Sequence, residues 1–356
     1  MKNEFFRQYL AIIYRAFSST IRKFALGGLK VLFSIASPRL FLLYDNEKTK
    51  DGFGAQLHRI LSLIHTAHYM HLRIVRPQIS DLAIHPLDPF YSSRELHRFL
   101  DNANDFLFAS PLFLDKSELI SDISNFKVGS IKIYTLVKLA LKSLVKRKAI
   151  LLSASEAHSI CDLNPNFYQD CIASFFENVI NEINCSRNFD EIVIHYRQGP
   201  GNFAVYPGQR ISRQMSINYF LIQLTTLAGT LDVSKMKLKV YTDAPRNNLV
   251  FQPPPDQLLL WEGTPGFERG KVTYVGNDLE SVIEPIALQL GLSFTIERNA
   301  DPLQMVIQMA RSSILITSRS SLSYVGGLFN TQGRVFAAPK FWHQNPDSWI
   351  ITKWRT

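Results

Sequence analysis

The feature that most constrains the fold is a short apolar strand pattern that keeps returning with a polar turn at its end. Leu40 to Tyr44 reads LFLLY, a buried strand, and is followed by the turn-rich stretch DNEKTKDGFG. Leu57, Ile60, Leu61, Ile64 and Ala67 then fall at helical spacing within Gln56 to Met70. His71 to Pro77 (HLRIVRP) predicts a second strand, so the unit is strand, glycine loop, helix, strand, the signature of a parallel α/β sheet. The same grammar recurs in the second half. Strands are predicted at Glu191 to Tyr196, Lys237 to Thr242, Lys271 to Val275, Ser313 to Thr317 and Gly333 to Ala338, with helices over Ser216 to Ala228, Asp278 to Leu290 and Pro302 to Arg311. Asn164 as N-cap before Pro165 predicts a helix running to about Asn184. From Gln78 to Ile150 the pattern is irregular, apart from a basic amphipathic helix near Tyr134 to Lys148.

A length of 356 residues exceeds the usual single core and points to two domains with a cleft between them. Hydrophobic residues make up 46% and charged residues 19%, which excludes a disordered or fibrous chain. The net charge of +9 is concentrated at one end: positions 1–39 hold seven basic residues against Glu4 alone. That distribution argues against nucleic-acid binding, which needs cations spread over a folded face and interleaved with stacking aromatics. It is compatible with a basic amphipathic arm lying on an anionic membrane surface or packing on the protein itself. No uncharged stretch in that arm reaches the length of a spanning helix. Cys161, Cys171 and Cys185 form no C-x-x-C pair and read as reduced core residues, in keeping with a cytoplasmic location.

Three segments sit where a strand gives way to a turn. In the first, Gly52, Gly54, Gln56 and His58 open a helix, where glycines let the backbone approach a ligand and free amides favour an anion. A plain loop-to-helix turn is the competing explanation. In the second, EIVIHYRQGPG, His195 and Arg197 close an apolar strand; a guanidinium offers paired donors that match phosphate oxygens. His195 reads equally as a satisfied core histidine. In the third, TSRSSLS, Ser320 and Ser321 cap the next helix and offer hydroxyl and amide donors, with or without a ligand. The chain has no D-x-D pair, no G-x-S-x-G elbow and no Walker lysine loop, so metal is not expected and departure of a diphosphate would fall to protein cations and amides.

These segments, in this order, resemble the GDP-fucose-dependent fucosyltransferases. GFGAQLHRIL is similar to the amino-terminal motif of core α1,6-fucosyltransferases and to the G-x-G-N-Q motif of bacterial α1,2-fucosyltransferases. IHYRQG resembles their H-x-R-R-G-D motif, VYTDAP their next strand end, and MARSSILITSRSSLSYVGGLFN their closing serine motif. The resemblance implies a GT-B type fold, two Rossmann-like domains with parallel sheets facing across a cleft. Its division would be a basic arm at 1–39, an acceptor-side α/β domain at 40–185 and a nucleotide-sugar-binding domain at 186–356. It also implies an inverting, metal-independent transferase without cofactor, moving fucose from a GDP-sugar to a glycan acceptor, in which Arg197 contacts the β-phosphate, His195 lies near the nucleotide, Ser320 and Ser321 touch phosphate, and Asp301 stands near the guanine-reading carboxylate.

The chain departs from the family at two places: Gln198 stands for the second arginine and Pro200 for the acidic residue. A GT-B transferase using another nucleotide sugar, and a non-catalytic glycan- or nucleotide-binding relative, are the alternatives. His58, Asp243 and Glu284 are the candidates for a general base. The acceptor is expected to be a polysaccharide or lipid-linked glycan at the inner membrane face, approached through the basic arm at 1–39.

Overall fold

The computed structural model describes residues 31–45, 52–79, 93–108, 110, 112–119, 122–161, 167–197, 215–252, 255, 258, 267–274, 276, 278–298, 300–337 and 345–351. Most of the basic arm, and the positions of Asp51, Gln198 and Pro200, lie outside these residues. From the end of the arm, Phe33 and Ala36 are fully buried in the core.

The first sheet has four parallel strands in the order β2-β1-β4-β3, with β1 at Leu40–Tyr44, β2 at Arg73–Ile74, β3 at Ile123–Ser130 and β4 at Ala149–Glu156. Helix α1 (Phe53–Tyr69) carries the chain from β1 to β2. β1 is apolar along its length because both its faces are covered, as central parallel strands require. β3 lies at the sheet edge, and exposed residues alternate with half-buried ones along most of it, a faint pattern in the sequence. The stretch from Gln78 to Ile150 is thus more regular than its sequence suggests: it holds α2 (Ser93–Phe108), β3, α3 (Ile133–Lys146) and the start of β4.

The second sheet has six parallel strands in the order β10-β6-β5-β11-β12-β13. They are β5 (Asn188–Tyr196), β6 (Lys237–Thr242), β10 (Ser293–Arg298), β11 (Ser312–Ile316), β12 (Arg334–Ala337) and β13 (Ile350–Ile351). Between the two sheets in sequence come α4 (His158–Cys161), α5 (Phe167–Phe175) and α6 (Glu177–Cys185). The single helix predicted to run to Asn184 is therefore broken, at Phe176, whose φ of −122° and ψ of 28° depart from helical geometry. Cys185, at the end of α6, is exposed rather than part of the core, whereas Cys161 and Cys171 are buried.

Helices α7 (Ile217–Ala228), α8 (Leu279–Gln289), α9 (Pro302–Arg311) and α10 (Ser321–Phe329) complete the described chain. The strand predicted at Lys271 to Val275 does not join either parallel sheet. As β9 (Lys271–Tyr274) it pairs antiparallel with β7 (Leu249–Phe251) and β8 (Phe267–Glu268) in a small separate ribbon.

Alternation along the central strands divides the core. In β5, Ile192 and Ile194 point to a cluster shared with α7 and α8, while Val193 points to the opposite face. β11 repeats the split, with Ile314 and Ile316 on one side and Leu315 on the other. The cluster holding Val193 and Leu315 also contains Leu40, Leu42, Ile150, Leu152 and the buried face of α1, so one apolar core runs through both sheets. The architecture is α/β with two parallel sheets, the GT-B type layout. Where the sequence suggests only a cleft between the halves, α1 packed on α10 closes part of the seam.

Candidate functional site

The strand order of the second sheet marks where a ligand belongs. From β5 the chain moves outward to β6 and β10, then returns to the other side of β5 with β11 and continues to β12 and β13. The carboxyl ends of β5 and β11 therefore flank a topological switch point, the crevice in which open α/β sheets bind ligands. Arg197 follows β5 directly, and Thr317 to Ser320 follow β11.

These two strand ends are bonded to each other. Nη1 of Arg197 donates to Oγ of Ser320 over 3.4 Å. On the β6 side, Nε of Arg197 lies 3.8 Å from the carboxylate of Asp243, and that nitrogen has no hydrogen-bond partner. His195 is 4% exposed, and its Nδ1 is 3.0 Å from Oγ of Ser318. Burial, reinforced by the positive charge of Arg197, pushes the imidazole down from its usual value to about 3, so the ring is neutral. The hydroxyl of Ser323 bridges the turn by donating to the carbonyls of Ser318 (3.1 Å) and Ser320 (3.2 Å). Ser320 is the N-cap of α10 and accepts from the amide of Leu322 at 3.3 Å; Ser321, half-buried, begins the helix.

The glycine segment reaches the same place from the first sheet. Gly52 is the N-cap of α1, and its carbonyl accepts from the amides of Ala55 and Gln56. A β-carbon on Gly54 would lie 2.7 Å from both the amide nitrogen and the α-carbon of Leu322. Gly54 therefore allows the first turns of α1 and α10 to touch, which is the physical reason for a glycine there. Gln56, two residues on, is fully buried. The two helices bring their positive ends to the edge that carries Arg197.

Three of the remaining sequence candidates lie elsewhere. His58, one turn further along α1, is 2% exposed and sits among rings, 4.8 Å from those of both Tyr324 and His158. Asp301 is the N-cap of α9 and accepts from the amide of Gln304 at 3.0 Å; burial raises its pKa, against the lowering effect of its backbone hydrogen bonds. Glu284 stands on the exposed face of α8, beside Ile283, which is in the core. Asp243 joins the site, but as the ion-pair partner of Arg197.

Two groups at the carboxyl edges escape the sequence reading. Arg319 lies in the turn between β11 and α10, half-buried, with its pKa lowered by that burial and raised in part by Tyr219. Its position three residues past a strand at the switch point is the signal that points to it. Glu156, the last residue of β4, is 3.5 Å from Nε2 of His158 and 4.0 Å from Nε of Arg59, with its side chain 31% exposed. Its strand, AILLSASE, lies mostly past the irregular stretch, and the apolar run Ala149 to Leu152 is the signal that points to it.

The fold and site together define an α/β protein with a crevice at the switch point of its second parallel sheet, where Arg197 meets the start of α10. No family model and no curated protein matches the chain. Among solved structures it is similar to POFUT1 in complex with GDP-fucose, at 9% identity and a TM-score of 0.44 over 87% of this chain and 96% of that one. It is also similar to the E. coli heptosyltransferase WaaC with ADP (9% identity, TM-score 0.38, 87% and 92% covered). A third is a point mutant of Arabidopsis thaliana FUT1 in complex with GDP (11% identity, TM-score 0.37, 84% and 70% covered). At that level of likeness the chemistry of the site is read from its own geometry.

Proposed function

We propose that the protein is an inverting, metal-independent glycosyltransferase that moves fucose from GDP-fucose to a glycan hydroxyl. The observation that supports this reading is the meeting, at the switch point, of the Arg197 guanidinium with the capped start of α10 and the start of α1. Two helix N-termini and an arginine form a site for a doubly charged diphosphate. The motif resemblance supplies the guanosine and the fucose.

In this reading Arg197, Ser320 and Ser321 hold the diphosphate, and Arg319 supplies the second cation that Gln198 does not. The acceptor hydroxyl attacks the anomeric carbon on the face opposite the diphosphate. The bond to the phosphate oxygen breaks and its electron pair leaves on GDP, where the cations and amides stabilise it. A base takes the hydroxyl proton. His58 is enclosed among rings and Glu284 faces outward from α8, while Asp243 serves Arg197; the partly exposed carboxylate of Glu156, on the first-sheet side, is the base in this proposal. Its acceptor is a polysaccharide or lipid-linked glycan.

Thermal-shift titration with GDP, UDP and ADP tests the donor: GDP should raise the melting temperature and the others should not. A shift with UDP or ADP alone would remove the fucosyl reading and keep the transferase. With purified protein and GDP-fucose, Arg197→Ala should lower kcat/KM by about 100-fold or more, and turnover should survive a chelator. Absence of transfer or donor hydrolysis with every nucleotide sugar would favour a binding protein, the outcome that Gln198 and Pro200 make relevant.

A further inference from the structure

Helix α3 carries two kinds of side chain on the face it turns away from the first sheet. Its inner face is Leu136, Leu139, Ala140 and Ser143, all buried. On the outer face Tyr134, Leu141 and Val145 are 69, 49 and 83% exposed. With Lys138 they are spaced four, three and four residues apart, which sets them on one stripe along the helix. Single exposed apolar residues are ordinary, but a row of three on one helix is a patch that a partner would cover.

The charge around the stripe is of one sign. Positions 131–148 contain Lys132, Lys138, Lys142, Lys146, Arg147 and Lys148, with no aspartate or glutamate. Lys142 lies over the ring of Phe126 at 4.1 Å and Lys148 is 3.4 Å from the carboxylate of Asp122. Lys132, Lys138, Lys146 and Arg147 are exposed.

We infer that this face docks on an anionic lipid bilayer. The helix would lie in the plane of the interface with Leu141 and Val145 among the acyl chains, Tyr134 at headgroup depth and the lysines extended to lipid phosphates. A nucleic acid or an acidic glycan would satisfy the lysines and leave the apolar stripe in water. A second copy of the chain would cover the stripe but would bring two sets of like cations together across the two-fold axis. An anionic bilayer answers both features. Among the described residues no helix is long and apolar enough to cross a membrane, and surface docking asks for none. The inference is independent of the transfer reaction.

The test uses the full chain and co-sedimentation with vesicles of phosphatidylglycerol mixed into phosphatidylcholine, against vesicles of phosphatidylcholine alone. Wild type should bind the anionic vesicles, and added salt should weaken the binding. The double substitution Leu141→Glu with Val145→Glu, and separately Lys138→Glu with Lys146→Glu, should each lower the partition coefficient about tenfold or more. Far-ultraviolet circular dichroism and melting temperature check that both variants fold; should the first fail, Val145→Ser at the most exposed of these positions replaces it. Wild-type binding by the folded variants would assign any affinity to another part of the chain and overturn the inference. So would an absence of vesicle binding, or variants that alter only the monomer–dimer distribution.

Discussion

Arg197 answers to two neighbours with different demands, the Ser320 hydroxyl at 3.4 Å and the Asp243 carboxylate at 3.8 Å. A guanidinium that must meet a diphosphate gains from being held in place before the ligand arrives, because less rotamer freedom is lost on binding. Asp243 on one side and Ser320 on the other provide that hold. The Asp243→Asn variant separates positioning from proton transfer. Weakened GDP binding, about tenfold or 1.4 kcal/mol by calorimetry, with an unchanged pH profile of kcat, is expected. Loss of the acidic limb of that profile, the fall in kcat at low pH as a base is protonated, would instead make Asp243 the base. Asp301 illustrates a different balance. Its carboxylate caps α9 through Gln304, yet burial raises its pKa, so its charged form is disfavoured where it sits. Asp301→Asn keeps the cap and removes the charge, and should leave stability near pH 7 equal or higher, whereas Asp301→Ala should cost about 1 kcal/mol in urea denaturation.

At the scale of elements, the decisive contact is α1 on α10. Gly54 has no room for a β-carbon because backbone atoms of Leu322, not a movable side-chain end, occupy the space at 2.7 Å. Gly54→Ala must push the first turns of the two helices apart, and those turns are the helix starts that border the site. The variant should lower the melting temperature by several degrees and weaken GDP binding more than that loss of stability explains. An alanine variant with unchanged melting and GDP affinity would remove this contact from the site. How much of this was legible in the sequence depends on burial. β1, β5 and β11 are apolar runs closed by turns, and α9 begins at Pro302 and ends at Arg311 as its spacing predicts. β3 and β10 were hidden because their residues are mostly half-buried or exposed, so local pattern carries little of what holds them. For the site, the ligand-type residues were readable as strand ends. The reason for Gly54 was not, since its partner Leu322 is more than two hundred and fifty positions away in the chain. Glu156 and the Asp243–Arg197 pair were obscure for the same cause: strand order, which local pattern does not specify, brings them to the edge.

At the scale of the whole molecule, the shared core decides how the protein comes apart. Apolar residues of both sheets, α1, α9 and α10 belong to one cluster, so unfolding should be a single transition reported alike by circular dichroism and by tryptophan fluorescence, to which Trp349 in that cluster contributes. His195 stands at the edge of this core and sets its response to acid. The folded-state pKa of about 3 lies below the ordinary 6.5, so between those values the unfolded chain binds the proton and the folded protein does not. Stability contributed by the neutral ring is therefore complete above about pH 6.5 and is lost as pH falls toward 3. By pH 5 the loss should be about 2 kcal/mol, from roughly one and a half units at 1.36 kcal/mol each. His195→Gln keeps a polar group for Ser318 and cannot titrate. Urea denaturation of both proteins at pH 7.5 and pH 5 should therefore show wild type losing about 2 kcal/mol more than the variant. Equal losses would mean that the ring is protonated in the folded protein, and the pairing of a neutral His195 with Ser318 behind Arg197 would have to be abandoned.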